Sequence, residues 1–249
     1  MKLADPLALK VSQPKEIVVF AASQLRGERK TQEDFFMNFN DECFTIADGV
    51  GGMQHGDVAS KLAAETAIWG YKLIRQRRFY WTDKKLLIQR IFRSTNIALW
   101  QKRRETGFEA GLATTLEVLV VGDKNFWLGH VGDSSAWFLS HSANAKLVKL
   151  TTDDVDEQGN LTKIIGVERY GMAPQFVSKR FEAGDIVLLV TDGITKVLGS
   201  EEIQKSIVAT GGTTESLSSA VLKLLEAAES AGSTDNMTAI LVKRVSHRP

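Results

Sequence analysis

A single cysteine, Cys43, stands in the 249 residues, which excludes an internal disulfide framework and any cysteine-built zinc site and suits a reducing compartment. An excess of charge of one sign is also missing. With 31 basic and 30 acidic residues the formal net charge is +1, so nothing draws the whole chain to nucleic acid or to an anionic membrane. No apolar run approaches the ~20 residues of a membrane span. The opening stretch MKLADPLALKVSQP interrupts its short apolar run with Asp5 and Pro6, which argues against a secretory signal. Linkers, repeats and low-complexity tracts are absent, as are the H-E-x-x-H, G-x-x-x-x-G-K and G-x-S-x-G patterns. What is present, 43% hydrophobic and 24% charged residues, describes a soluble globular chain, expected in the cytoplasm and long enough over 1–249 to bury the core of one domain.

Runs rich in β-branched and aromatic residues predict strands over Ile17–Ala22, Cys43–Ala47, Thr115–Val121, Phe126–Val131, Ala136–Ser140, Lys146–Leu150, Phe176–Phe181, Ile186–Val190 and Thr238–Lys243. Helical periodicity covers about Asp57–Arg77, Asp83–Arg104 and Thr214–Glu229. The strands arrive in consecutive groups and do not alternate with helices. That order predicts an α+β fold of antiparallel sheets covered by helices, not a doubly wound parallel sheet.

The chemistry lies at the strand ends. FTIADGVGG stops an apolar strand on Asp48, WLGHVGD ends at Asp133, VLLVTDG places Asp192 before Gly193, and Asp235 precedes the last strand; Glu33 and Asp34 lie just before a further extended segment. Any one Asp-Gly reads first as a turn. Repeated after strongly apolar strands, where an unpaired charge is costly, the pattern calls for cations to neutralise the acids. Oxygen ligands without clustered His or Cys suit Mg2+ or Mn2+. Gly49 has no side chain in the way, so its backbone can approach an ion and offer its carbonyl.

These residues carry a resemblance to the metal-dependent protein phosphatases of the type 2C family, running from about Arg29 to Lys243. Arg29, Glu33 and Asp34 match R-x-x-N-E-D with Gln32 for Asn, and Asp48 to Gly52 match D-G-x-G-G. Gly111 to Leu116, HVGDSSAWFL, LTTDD, LVTDGITKVL and TDNMTAILV follow the family's later motifs in order. The resemblance implies a four-layer α-β-β-α sandwich with a two-metal site at one end of the sheets. By analogy Asp48 bridges both ions, Asp192 and Asp235 complete one, Glu33 or Asp34 with the Gly49 carbonyl serves the other, and Asp133 joins Asp192 around a third, weaker ion. Arg29 is similar to the family's phosphate-binding arginine, its planar fork suited to two phosphoryl oxygens.

Arg29, Asp48 and Asp192 are thus the candidate catalytic set. The implied reaction is hydrolysis of phosphoserine and phosphothreonine in proteins by a water that divalent ions acidify, with no covalent intermediate. The implied substrate is a phosphoprotein made by a serine/threonine kinase, met by a monomer without nucleic acid or membrane. The alternative is a silent binding module on the same fold, against which stands the complete set Glu33, Asp34, Asp48, Asp133, Asp192 and Asp235. Departures concern substrate contacts. Val50 leaves no His in D-G-x-G-G, Ser135, Trp137 and Asp154 replace the family's Arg, Tyr and His, and only Val155 to Gly159 stand where relatives carry a longer flap. Cys43 reads as a packed thiol, His55 and His130 as packing or hydrogen-bonding residues, and RQRRFYWTDKK (Arg75 to Lys85) as a solvated helix end.

Overall fold

Among the described residues, ten strands make two five-stranded sheets. The computed structural model describes residues 15–50, 55–77, 83–108 and 111–247. The Asp5 and Pro6 stretch, the glycines at 51 and 52, and residues 78–82 of the basic aromatic stretch lie outside them. One sheet runs in the order β1 (Lys15–Leu25), β10 (Met237–His247), β9 (Ile186–Val190), β6 (Ser135–Leu139), β7 (Val148–Lys149). The other runs β2 (Asp34–Phe39), β3 (Cys43–Asp48), β4 (Leu116–Val121), β5 (Asn125–Val131), β8 (Gln175–Arg180). Every strand pair is antiparallel.

The period-2 geometry of a strand sorts its side chains between two cores. Val187 and Leu189 of β9, Ile240 and Val242 of β10, and Phe44 and Ile46 of β3 meet between the sheets. Leu188, Val190, Ala239 and Leu241 face the other way, against α4 (Ser200–Ile207) and α5 (Thr214–Ser230). Across the molecule Cys43, Ala47, Val118 and Val120 pack under α1 (Gly56–Arg75) and α2 (Lys84–Lys102). The layers are therefore α-β-β-α, and a central strand such as IVLLV is apolar throughout because both of its faces are covered.

Helix boundaries follow local chemistry. The Asp83 carboxylate accepts the Leu86 N–H at 2.9 Å and starts α2; the Thr213 hydroxyl accepts the Ser216 N–H at 3.3 Å and starts α5. Three elements depart most from the sequence reading. The expected strand Lys146–Leu150 keeps only Val148–Lys149, paired at the sheet edge with Phe138 and Trp137, with one further bond from the Leu150 N–H to the Ala136 carbonyl at 2.8 Å. Two short helices, α3 (Asp192–Thr195) and α4, were not expected; each is too short to be stable alone and forms on the support of its neighbours, Ile203 and Ile207 of α4 being buried beside Leu217 and Leu224 of α5.

Candidate active site

Antiparallel order brings the strand ends that carry acids to one edge of the sandwich. Asp34, first in β2, pairs directly opposite Asp48, last in β3. The turn after β5 carries Asp133, the end of β9 leads through Thr191 to Asp192, and Asp235 lies two residues before the start of β10. Around them opens a cleft of 380 Å³, where, among the described residues, the carboxylates of Glu33, Asp48, Asp133, Asp192 and Asp235 face two cations, Arg29 and Lys196.

Backbone and side-chain hydrogen bonds hold this edge together. The Asp48 N–H donates to the Thr115 hydroxyl at 3.0 Å, and the Asp48 carbonyl accepts the Thr114 hydroxyl at 2.6 Å and the Thr115 N–H at 2.9 Å. Asn236 acts as a clasp. Its carboxamide oxygen accepts the Glu33 N–H at 2.7 Å, while its NH2 donates to the carbonyls of Arg26 at 2.8 Å and Thr31 at 3.1 Å. Both Asp-Gly pairs need their glycine because another strand of backbone passes behind it: a Cβ on Gly49 would collide with Gly56, and one on Gly193 with the Asn236 carbonyl.

Glu33 and Asp34, left as alternatives by the resemblance, separate in space. Glu33 lines the cleft. Asp34 lies behind it, 2% exposed, and its Oδ2 accepts hydroxyl hydrogen bonds from Thr191 at 2.8 Å and Thr238 at 2.7 Å, tying one sheet to the other. Its Oδ1 is buried with no hydrogen-bond partner among the described residues. Burial raises the Asp34 pKa to about 7, against the two threonine hydrogen bonds and with help from the charges of Asp192 and Asp235. Burial, then the charges of Asp34, Asp192, Asp133 and Asp235, lifts Asp48 well above the carboxylate range. Asp133 rises to about 6 through burial and Asp192, with Lys196 opposing. Glu33 also rises, chiefly through burial, against the charge of Arg29.

The two cations are already engaged. Arg29 donates to Asp235 Oδ2 at 2.8 Å, and Lys196 donates to Asp192 Oδ2. Among the described residues no three acidic, His or Cys side chains converge closely enough to hold an ion. Asp192 and Asp235 are turned toward Lys196 and Arg29 instead. The donor set nevertheless fits hard divalent cations: all-oxygen, in excess of the local positive charge, and with a buried orphan oxygen on Asp34.

Other sequence-singled residues fall outside the cleft. His130 is buried, its Nδ1 2.5 Å from Glu117 Oε1 and its Nε2 3.0 Å from the Thr152 carbonyl. His55 packs against Phe108 with ring centroids 4.8 Å apart. Cys43 is fully buried, which pushes its thiol pKa upward. Arg75 pairs with Glu42 at 2.9 Å. The short segment after LTTDD closes as a tight turn: Asp156 Oδ1 accepts the N–H groups of Gln158 at 3.0 Å and Asn160 at 2.8 Å, Val155 bridges Leu161, and Gly159, Asn160 and Leu161 form one wall of the cleft.

Sequence reasoning missed Lys196, Asn236, Thr191 and Thr238. Their only signal was adjacency to the acids, with Lys196 four residues after Asp192.

A profile of the family described as protein phosphatase 2C matches residues 23–242. Protein phosphatase PhpP of Streptococcus pneumoniae is 26% identical over 245 residues, covering 87% of this chain and 93% of that protein. In structure the chain is similar to the catalytic domain of the serine/threonine protein phosphatase PstP in complex with two manganese ions, with TM-score 0.75, 21% identity, and coverage of 92% of this chain and 99% of that one. Stp1 from Staphylococcus aureus gives TM-score 0.76 at 21% identity over 91% and 95%.

Proposed function

Because this chain belongs to the protein phosphatase 2C family, we propose that its cleft hydrolyses phosphoserine and phosphothreonine monoesters in proteins, using Mn2+ or Mg2+ held by Asp48, Asp192, Asp235, Glu33 and the Gly49 carbonyl. The named serine/threonine phosphatases among its relatives, and manganese in PstP, support that activity and that metal. The observation that carries the residue assignment is the excess of carboxylate charge lining one cleft, which among the described residues Arg29 and Lys196 only partly offset.

Bound divalent ions supply an acidified water and neutralise phosphoryl oxygens as charge develops. The chain's own residues orient and select. Arg29, half-exposed at the mouth, offers a guanidinium whose fork fits two phosphate oxygens once Asp235 is otherwise engaged. Asn236 fixes the Glu33 backbone relative to Asp235. Asp34, clamped by Thr191 and Thr238, lends negative charge from behind Asp48 and holds the two sheets in register at this edge.

The tight turn at 156–160 leaves the cleft open to a bulky partner. That openness suits a folded phosphoprotein, made by an opposing kinase, and a phosphatase acting as a monomer in the cytoplasm. Among the described residues no helix is long and apolar enough to cross a membrane.

The test is hydrolysis of an aryl phosphate, then of phosphopeptides, by the purified chain. Activity should vanish on chelation and return with Mn2+ or Mg2+. Full activity in excess chelator after dialysis would falsify the metal assignment.

A further inference from the structure

On the side of the cleft where the resemblance implied a third ion, between Asp133 and Asp192, the protein carries a lysine, Lys196. Lys196 caps the single turn α3, its N–H donating to the Asp192 carbonyl at 2.8 Å. That turn sets residues four apart on one face, so the lysine stem runs back along the helix and its ammonium pairs with Asp192 Oδ2. The same side chain lines the cleft together with Asp133 and Asp235.

We infer that Lys196 is a built-in cation of this site: its ammonium stands beside Asp192 and Asp133 in place of a third divalent ion, so the cleft loads two ions and not three. The inference rests on the metal-ligand assignment above. Asp192 has two carboxylate oxygens, and the ammonium engages Oδ2, leaving Oδ1 as its oxygen free of this ion pair. A further ion between Asp133 and Asp192 would have to displace the ammonium or lie against it. A unit charge about 4 Å from a divalent ion disfavours binding roughly thirtyfold even at the dielectric of bulk water. Asp192 is the anchored partner, its side chain 13% exposed, while the lysine is 60% exposed and tethered by its stem. The tether keeps the cation present whatever the metal concentration.

The experiment counts bound Mn2+ on metal-stripped full-length protein by equilibrium dialysis, with free Mn2+ read by electron paramagnetic resonance. The wild-type chain and Lys196→Arg should take up two ions. Lys196→Ala and Lys196→Met should take up a third, bound at least roughly tenfold more tightly than any third ion on the wild type, and Lys196→Ala combined with Asp133→Asn should return to two. Methionine retains a stem of similar length without charge, so agreement of the Ala and Met variants separates charge from packing. A third ion held as tightly by the wild type as by Lys196→Ala, or only two ions on both Lys196→Ala and Lys196→Met, would overturn the role of Lys196 while leaving the two-ion assignment standing. A wild-type chain that binds no ion would overturn both.

Discussion

Removing the charge of Asp34 should stabilise the metal-free protein, and by more as pH rises. The carboxyl is 2% exposed, accepts two hydroxyl hydrogen bonds on one oxygen and has no partner among the described residues on the other. With a folded pKa of about 7 against a reference of 3.8, both folded and unfolded chains are protonated here below about pH 4, and the group has no effect on stability. Between those values the unfolded chain has released its proton and the folded chain retains it, so stability falls as pH rises. Above about 7 the full cost applies, about 4 kcal/mol from roughly three pH units at 1.36 kcal/mol each. Total stabilities are only about 5–15 kcal/mol.

Asparagine keeps an oxygen for Thr191 and Thr238, and any cost of placing its NH2 at the orphan position does not vary with pH. The readout is therefore the difference between Asp34→Asn and wild type in urea unfolding with chelator present, measured at pH 5 and pH 8. It should move by about 2–3 kcal/mol in favour of asparagine, most of the linkage falling in that window. Added Mn2+ should stabilise the wild type more at pH 8 than at pH 5. A pH-independent difference, or one that moves toward aspartate, refutes the reading of Asp34 as a buried charge that only cations make tolerable.

Asp192→Asn should lower kcat by about 10²–10³ or more without markedly lowering the metal-free melting temperature; wild-type turnover would remove Asp192 from the machinery. Arg29→Ala should raise KM more than it lowers kcat, since phosphate is held in ground and transition states alike, and steady-state kinetics showing an intact KM with collapsed kcat would give it another role. Gly129→Ala would bring a Cβ within 2.5 Å of Ile88 and Phe92, so overpacking under α2 should cost about 1–3 kcal/mol in denaturant unfolding. An unchanged midpoint would show that α2 shifts without cost.

Local chemistry was legible without coordinates. Apolar, β-branched runs such as IVLLV and LEVLVV are strands in the structure, as the sequence predicts. The acids at strand ends could be read as one constellation because their cost, unpaired after an apolar strand, is a property of the residues themselves. Which acid looks into the cleft could not be read. Glu33 and Asp34 are neighbours in sequence, and only the pairing of β2 with β3 and the position of Thr191 and Thr238 on the opposite sheet send Asp34 inward and leave Glu33 at the wall. The same holds for short elements. A turn such as α3 has no periodicity to betray it, and Ser200–Ile207 becomes helical because Ile203 and Ile207 find Leu217 and Leu224 across the chain. Lys196 is one more cation in the sequence, and its meaning arises from the turn that folds it back onto Asp192 and from the sheets that carry Asp133 to the same cleft. The sequence by itself determined which groups can carry charge and where most of the strands lie along the chain, since those depend on nearest neighbours. The tertiary structure alone decided which charges meet, because electrostatic energy depends on distance through space and on burial, and residues as far apart in the chain as Asp34 and Thr238 are brought into hydrogen-bonding contact only by stacking one sheet on the other.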